Sequence, residues 1–157
     1  MDKEKIKELT IKYHSEPKPG KTEIRITKKL KTIKDITLAY TPGVSEIVKK
    51  ILENEENVNK YTIKNNLVAV ITNGSAVLGL GNVGALASKP VMESKSMLFK
   101  HFANIDSFDI EIDSKNKKDF IKTVINISST FGGINLEDIK SPECFVIEKE
   151  LKKKLKI

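Results

Sequence analysis

Apolar positions divide the chain into short stretches with either helical or strand spacing. Ile6, Leu9 and Tyr13 fall on one face of residues 2–14, predicting a helix capped by Asp2. Pro17, Pro19 and Gly20 end it. Ile24 and Ile26 alternate with polar neighbours over 22–27, which predicts a short strand, and lysine-rich 28–34 reads as a solvated loop. After the Thr41-Pro42-Gly43 turn, Val44, Ile47, Val48, Ile51 and Leu52 form the stripe of an amphipathic helix. Residues 53–60 are polar and predict a loop.

The run LVAVIT over 67–72 has the continuous apolar character of a strand covered on both faces. Asn73-Gly74-Ser75 is a turn, and 76–80 predicts a second short strand. A helix follows from about Gly84 to Phe102, with an interruption expected at Pro90. Phe108, Ile110 and Ile112 alternate with Asp109, Glu111 and Asp113, predicting a half-exposed strand whose acids face solvent. Phe120, Val124 and Ile127 mark another helix, and 131–139 reads as loop and strand. Ser141-Pro142-Glu143 is a helix start, and Ile147, Leu151 and Leu155 continue along one face. Strands alternating with helices predict an α/β domain: a three-layer-like arrangement of a mixed, partly parallel sheet flanked by helices.

Composition narrows the functional classes. The 157 residues are 39% hydrophobic and 31% charged, an ordinary globular mix for one domain. No apolar run approaches the ~20 residues of a membrane span, and the charged N-terminus lacks the apolar core of a signal peptide. A single cysteine, Cys144, fits a reducing cytoplasm. Net charge is +7, yet Arg25 is the one arginine, and arginine is the residue of choice for base and phosphate contacts. Scattered lysines therefore read as solvation, and no nucleic-acid partner or membrane is expected.

Several residues invite a chemical reading. Gly79-Leu80-Gly81-Asn82-Val83-Gly84 satisfies the dinucleotide fingerprint G-x-G-x-x-G. About half the chain precedes it, however, and Pro90 interrupts the expected helix, so a glycine-rich turn is the favoured reading. Lys95 shares a helix face with Val91, Leu98, Phe99 and Phe102. Desolvation there would suit a general base, but spacing alone favours a stem that packs while the ammonium reaches water. Glu137 and Asp138 are adjacent acids of the kind that hold Mg²⁺. On a regular strand they would point to opposite faces, so joint ligation requires a bend. Tyr40 precedes the Thr-Pro-Gly turn and could present its phenol into a cleft, though a core or rim tyrosine is the commoner case. His14 and His101 lack partners at zinc spacing, and neither Ser75 nor Cys144 has a nucleophile setting.

Five stretches together resemble the malic enzyme family in its small bacterial form. They are YHSEPKPGK (13–21), LAYTPGV (38–44), the block NLVAVITNGSAVLGLGNVGALASKPVMESKSMLFK (66–100), IDSFDIEID (105–113) and FGGINLEDIKSPECF (131–145). The resemblance implies oxidative decarboxylation of malate to pyruvate and CO₂, with NAD or NADP reduced and Mg²⁺ or Mn²⁺ bound. It places the family's tyrosine on Tyr40, its lysine on Lys95, and two of its three acidic metal ligands on Glu137 and Asp138. In this reading Lys95 takes the C2 hydroxyl proton and Tyr40 protonates the product carbon.

The same resemblance sets expectations about extent. Residues 1–157 correspond to the N-terminal malate- and metal-binding domain. The family's third metal ligand and its NAD(P)-binding Rossmann domain are expected after the point where this chain stops. Ala76 stands where larger members carry an arginine, as it does in small forms, which leaves the malate carboxylate contact unassigned. A homodimer is expected. The alternative is a catalytically incomplete fragment acting as a folded, dimerising or substrate-binding module.

Overall fold

The computed structural model describes residues 2–157, which divide into two compact units. One comprises the residues up to Glu23 together with Leu67–Ile157, and the other is Ile24–Asn66.

The larger unit is built on three strands: β1 (Leu67–Thr72), β2 (Asp106–Glu111) and β3 (Gly133–Leu136). All pair in parallel in the order β2-β1-β3, so the α/β expectation stands but the sheet holds no antiparallel member among the described residues. Central β1 is buried almost throughout, which explains its unbroken apolar run. Leu67, Ala69 and Ile71 point to one face and join a core with Phe120, Ile121, Val124, Ile147 and Leu151. Those residues come from the helices numbered α6 (Lys117–Ile127) and α7 (Glu143–Lys154) in chain order. Val68, Val70 and Thr72 alternate to the opposite face, and α5 (Gly84–Ala103) packs against β1 and β2. Helix, sheet and helix pair make three layers. The first helix, α1 (Lys3–Ser15), has no buried residue, and Ile6, Leu9 and Tyr13 are exposed.

Three expectations fail here. Helix α5 runs unbroken through Pro90. Proline lacks the N–H that would bond the carbonyl four residues earlier, on Leu86, but Leu86 is 87% exposed, so that turn of the helix lies on the solvent side, where a freed carbonyl costs little. Residues 76–80 form no strand, only an isolated bridge between Val77 and Gly81. The acids of β2 are not solvent-facing: the side chains of Asp109 and Glu111 are only 10% and 12% exposed, because α5 covers them.

The unit Ile24–Asn66 is helical. It contains α2 (Ile33–Ala39), α3 (Val44–Glu53), α4 (Asn57–Tyr61) and a 3-10 turn at Ile63–Asn66. The strand expected over 22–27 is absent, and Ile24 and Ile26 lie exposed in extended chain. Helix α2 begins inside the predicted lysine-rich loop because Thr32 and Asp35 form a reciprocal capping box. Helix α4 likewise occupies part of the expected 53–60 loop. Helix α3 has its predicted stripe, yet Val44, Val48 and Leu52 remain exposed.

Candidate active site

Helix α5 presents its residues in two ways. Ser88, Met92 and Ser96, spaced by four, form the buried stripe against the sheet. The stripe expected for Lys95 is therefore not the core-facing one: Val91, Leu98 and Phe102 are exposed, and Lys95 sits one step round from the buried face. From there its ammonium crosses to the end of β3, where Nζ lies 3.2 Å from Glu137 Oε2. The pair is half-buried, with side-chain exposures of 36% and 23%.

The acid pair owes its arrangement to the backbone just beyond β3. Glu137 still donates its N–H to the Ile71 carbonyl at 2.9 Å, extending the parallel ladder by one residue. Asp138 then turns into the left-handed region at φ 50°, uncommon for a non-glycine residue but tolerated by aspartate. The turn takes Asp138 out of the strict face alternation that a continued strand would impose on it. Asn135 Nδ2 donates to Glu137 Oε2 at 2.9 Å, and the Asp138 carbonyl accepts from Ala76 N–H at 2.9 Å. Asp138 Oδ2 is buried with no hydrogen-bond partner among the described residues. Burial, followed by the charge of Glu137, pushes the Asp138 carboxyl above its ordinary range, against the opposing pull of Lys95. A buried carboxylate oxygen without a donor, beside a second carboxylate, suits a hard divalent cation. No group of three or more such ligands occurs among the described residues.

Ser75 acts as a brace rather than a nucleophile. Its hydroxyl donates to Asn73 Oδ1 at 2.6 Å and accepts from Lys140 N–H at 2.9 Å. The loop after β1 is thereby tied to the segment after β3 that carries the acids. Gly74 permits a tight turn: at φ +65°, an added Cβ would lie 2.1 Å from the Gly84 carbonyl oxygen. The glycines of the GLGNVG stretch differ. Gly79, Gly81 and Gly84 have positive φ, with open space where a side chain would go. Residues 73–78 separate β1 from that motif, whereas a dinucleotide fingerprint follows its strand directly.

Tyr40 belongs to the unit Ile24–Asn66, unlike Lys95, Glu137 and Asp138. It closes α2, donating its N–H to the Ile36 carbonyl at 2.8 Å, and its side chain is exposed.

A charged cluster on the far edge strand escaped the sequence reading. Lys89 of α5 contacts Asp109 Oδ2 closely and lies 3.6 Å from Glu111 Oε2. Burial pushes the Glu111 carboxyl up to about 7, helped by hydrogen bonding and charge from Asp109. Burial also acts on Asp109, but the Lys89 ion pair outweighs it and holds that carboxyl low. Strict alternation of β2 had suggested a wet face. The lysine six residues before Lys95 was the available signal that the face is covered.

Comparison with known proteins settles the family. The model of the malic enzyme N-terminal domain matches residues 19–119. The chain belongs to the malic enzyme family. It is 54% identical over 145 residues to an NADP-dependent malic enzyme of Halomonas elongata, covering 92% of this chain and 34% of that protein. An NAD-dependent malic enzyme of Rhizobium meliloti is 51% identical over 152 residues, covering 97% of this chain and 20% of the relative. The solved malic enzyme from Pyrococcus horikoshii superposes with a TM-score of 0.93 at 47% identity, covering 97% of this chain and 36% of that one. The chain therefore spans between a fifth and about a third of these malic enzymes.

Proposed function

We propose that this chain is the malate- and metal-handling domain of a malic enzyme, carrying the acid–base pair and two of the carboxylates for a reaction completed by further sequence. One observation carries the reading. Lys95 Nζ stands 3.2 Å from Glu137 Oε2, and the next residue, Asp138, has a buried Oδ2 with no hydrogen-bond partner among the described residues. An amine from α5 thus meets an acid pair that lies far from it in sequence.

Glu137 and Asp138 would hold Mg²⁺ or Mn²⁺, which, when bound, supplies Lewis-acid polarisation of the substrate oxygens. Lys95 is the general base for the C2 hydroxyl of malate, and Tyr40 is the acid that protonates the product carbon. Asn135 and the Ser75 brace orient the carboxylates. No residue of this chain is assigned to NAD or NADP, which belongs to a C-terminal Rossmann domain in the proposed full-length enzyme. A homodimer in the cytoplasm fits the exposed apolar residues of α1 and α3 and the single cysteine. No described helix is long and apolar enough to cross a membrane.

The test is a chimera in which this chain replaces the matching segment of the Halomonas elongata enzyme. Metal-dependent formation of pyruvate from malate is expected, and Lys95→Ala should lower it by about 10²–10⁴-fold. A folded chimera without turnover, or one indifferent to Lys95→Ala, contradicts the proposal. A second reading, a folded module without catalysis, is favoured by one observation: the described residues provide two clustered carboxylates rather than a complete ligand set. Dimerisation of the chimera without any Mn²⁺ binding would support it.

A further inference from the structure

The hydroxyls of Ser96 and Ser107 are buried, and neither has a hydrogen-bond partner among the described residues. Ser96 is 2% exposed. Both serines line one cavity of about 400 Å³, with Lys21, Lys100, His101 and Asp106 among its other walls. A buried hydroxyl without a partner costs roughly 1–3 kcal/mol, so two in one cavity call for an occupant.

Charge decides the kind of occupant. Lys100 is matched by Asp106, with Nζ 2.9 Å from Oδ1. Glu23, another lining residue, is matched by Lys18 at 3.3 Å. Lys21 is different: its ammonium donates at 2.8 Å to the Pro90 carbonyl, a dipole rather than a carboxylate. Glu93 accepts from the Lys21 backbone N–H at 3.2 Å, but no carboxylate among the described residues lies within ion-pair distance of the Lys21 ammonium. The cavity thus offers two hydroxyl donors, one cation outside any ion pair and an imidazole. We propose that it is a second ligand site, for a small singly charged oxyanion, separate from the candidate active site.

The separation follows from topology. Asp106 and Ser107 begin β2, whereas Glu137 and Asp138 follow the end of β3. The strands are parallel and these two form opposite edges of the sheet, so the sites lie at opposite ends and sides. Helix α5 links them, because Ser96 follows Lys95 and is turned about 100° from it. An anion held by Ser96 would therefore bear on the helix that carries the proposed base. Phosphate and a short carboxylate such as acetate share the required chemistry.

Amide NMR of the chain, titrated separately with inorganic phosphate and sodium acetate against chloride at matched ionic strength, tests the site. Saturable shifts at Ser96, His101 and Ser107 are expected, and the tighter-binding anion identifies the source. Ser107→Ala and Lys21→Met should each weaken that binding by about tenfold, while Lys95→Met should leave it unchanged. Ser107 lies outside the fully buried stripe, so its variant keeps the test open should Ser96→Ala fail to fold. Shifts that chloride reproduces, shifts that do not saturate, or an affinity untouched by Ser107→Ala would mean that the cavity holds water only, and would overturn the proposal.

Discussion

The left-handed turn at Asp138 shows how one residue sets the site. Without it the neighbouring carboxylates of Glu137 and Asp138 would diverge across the sheet. A comparable dependence operates at Gly74, where positive φ and the nearby Gly84 carbonyl exclude any side chain. Gly74→Ala should destabilise the chain by at least about 2 kcal/mol in urea unfolding. Glu111 gives a pH signature. Its carboxyl titrates near 7 in the folded chain and near 4.5 when unfolded, so the fold binds the extra proton. The resulting stability is fully present below about pH 4.5 and is lost as pH rises through 7. Discounted for solvent screening, it amounts to about 2 kcal/mol. Glu111→Gln should flatten the dependence of melting temperature on pH across that window. An unchanged slope would show that Glu111 is not the titrating group.

Helix α5 is the element on which the arrangement turns. One stripe seats it on the sheet through Met92, and Lys89 pins it to the acids of β2. The next face extends Lys95 toward β3. The helix was legible in the sequence as periodicity, but its continuity was not. Whether a proline breaks a helix depends on whether water can reach the freed carbonyl, and only tertiary structure sets that. The covering of Asp109 and Glu111 was hidden for a related reason, since alternation reports two faces but not which one a helix covers; Asp113, beyond the strand, is exposed as the pattern predicts. Helices α6 and α7 were plain from their spacing because their apolar residues meet the core. Phe120, fully buried between α6 and the sheet, carries much of that layer. Phe120→Ala should cost about 3–5 kcal/mol of unfolding free energy, and a loss below about 1 kcal/mol would contradict the packing described.

Across the whole molecule, the alternation of strands and helices and the main elements of the larger unit were readable from pattern, whereas the all-parallel pairing was not. The chemistry was less so. Spacing alone favoured bland readings of Lys95, Glu137 and Asp138, because residues far apart in sequence meet only through the sheet. The helices of Ile24–Asn66 were partly hidden: α2 depends on a local capping box and α4 is very short. This unit contributes no residue to the buried core among the described residues, and Leu52 is one of its exposed apolar side chains.

Glu137 and Asp138 are proposed to hold a divalent cation beside Lys95. Paramagnetic broadening of amide signals by substoichiometric Mn²⁺ reads this directly. Broadening should centre on residues 135–140 and 73–76 and vanish in the folded Asp138→Asn variant. Broadening spread over the surface acids, or unaffected by Asp138→Asn, would contradict it.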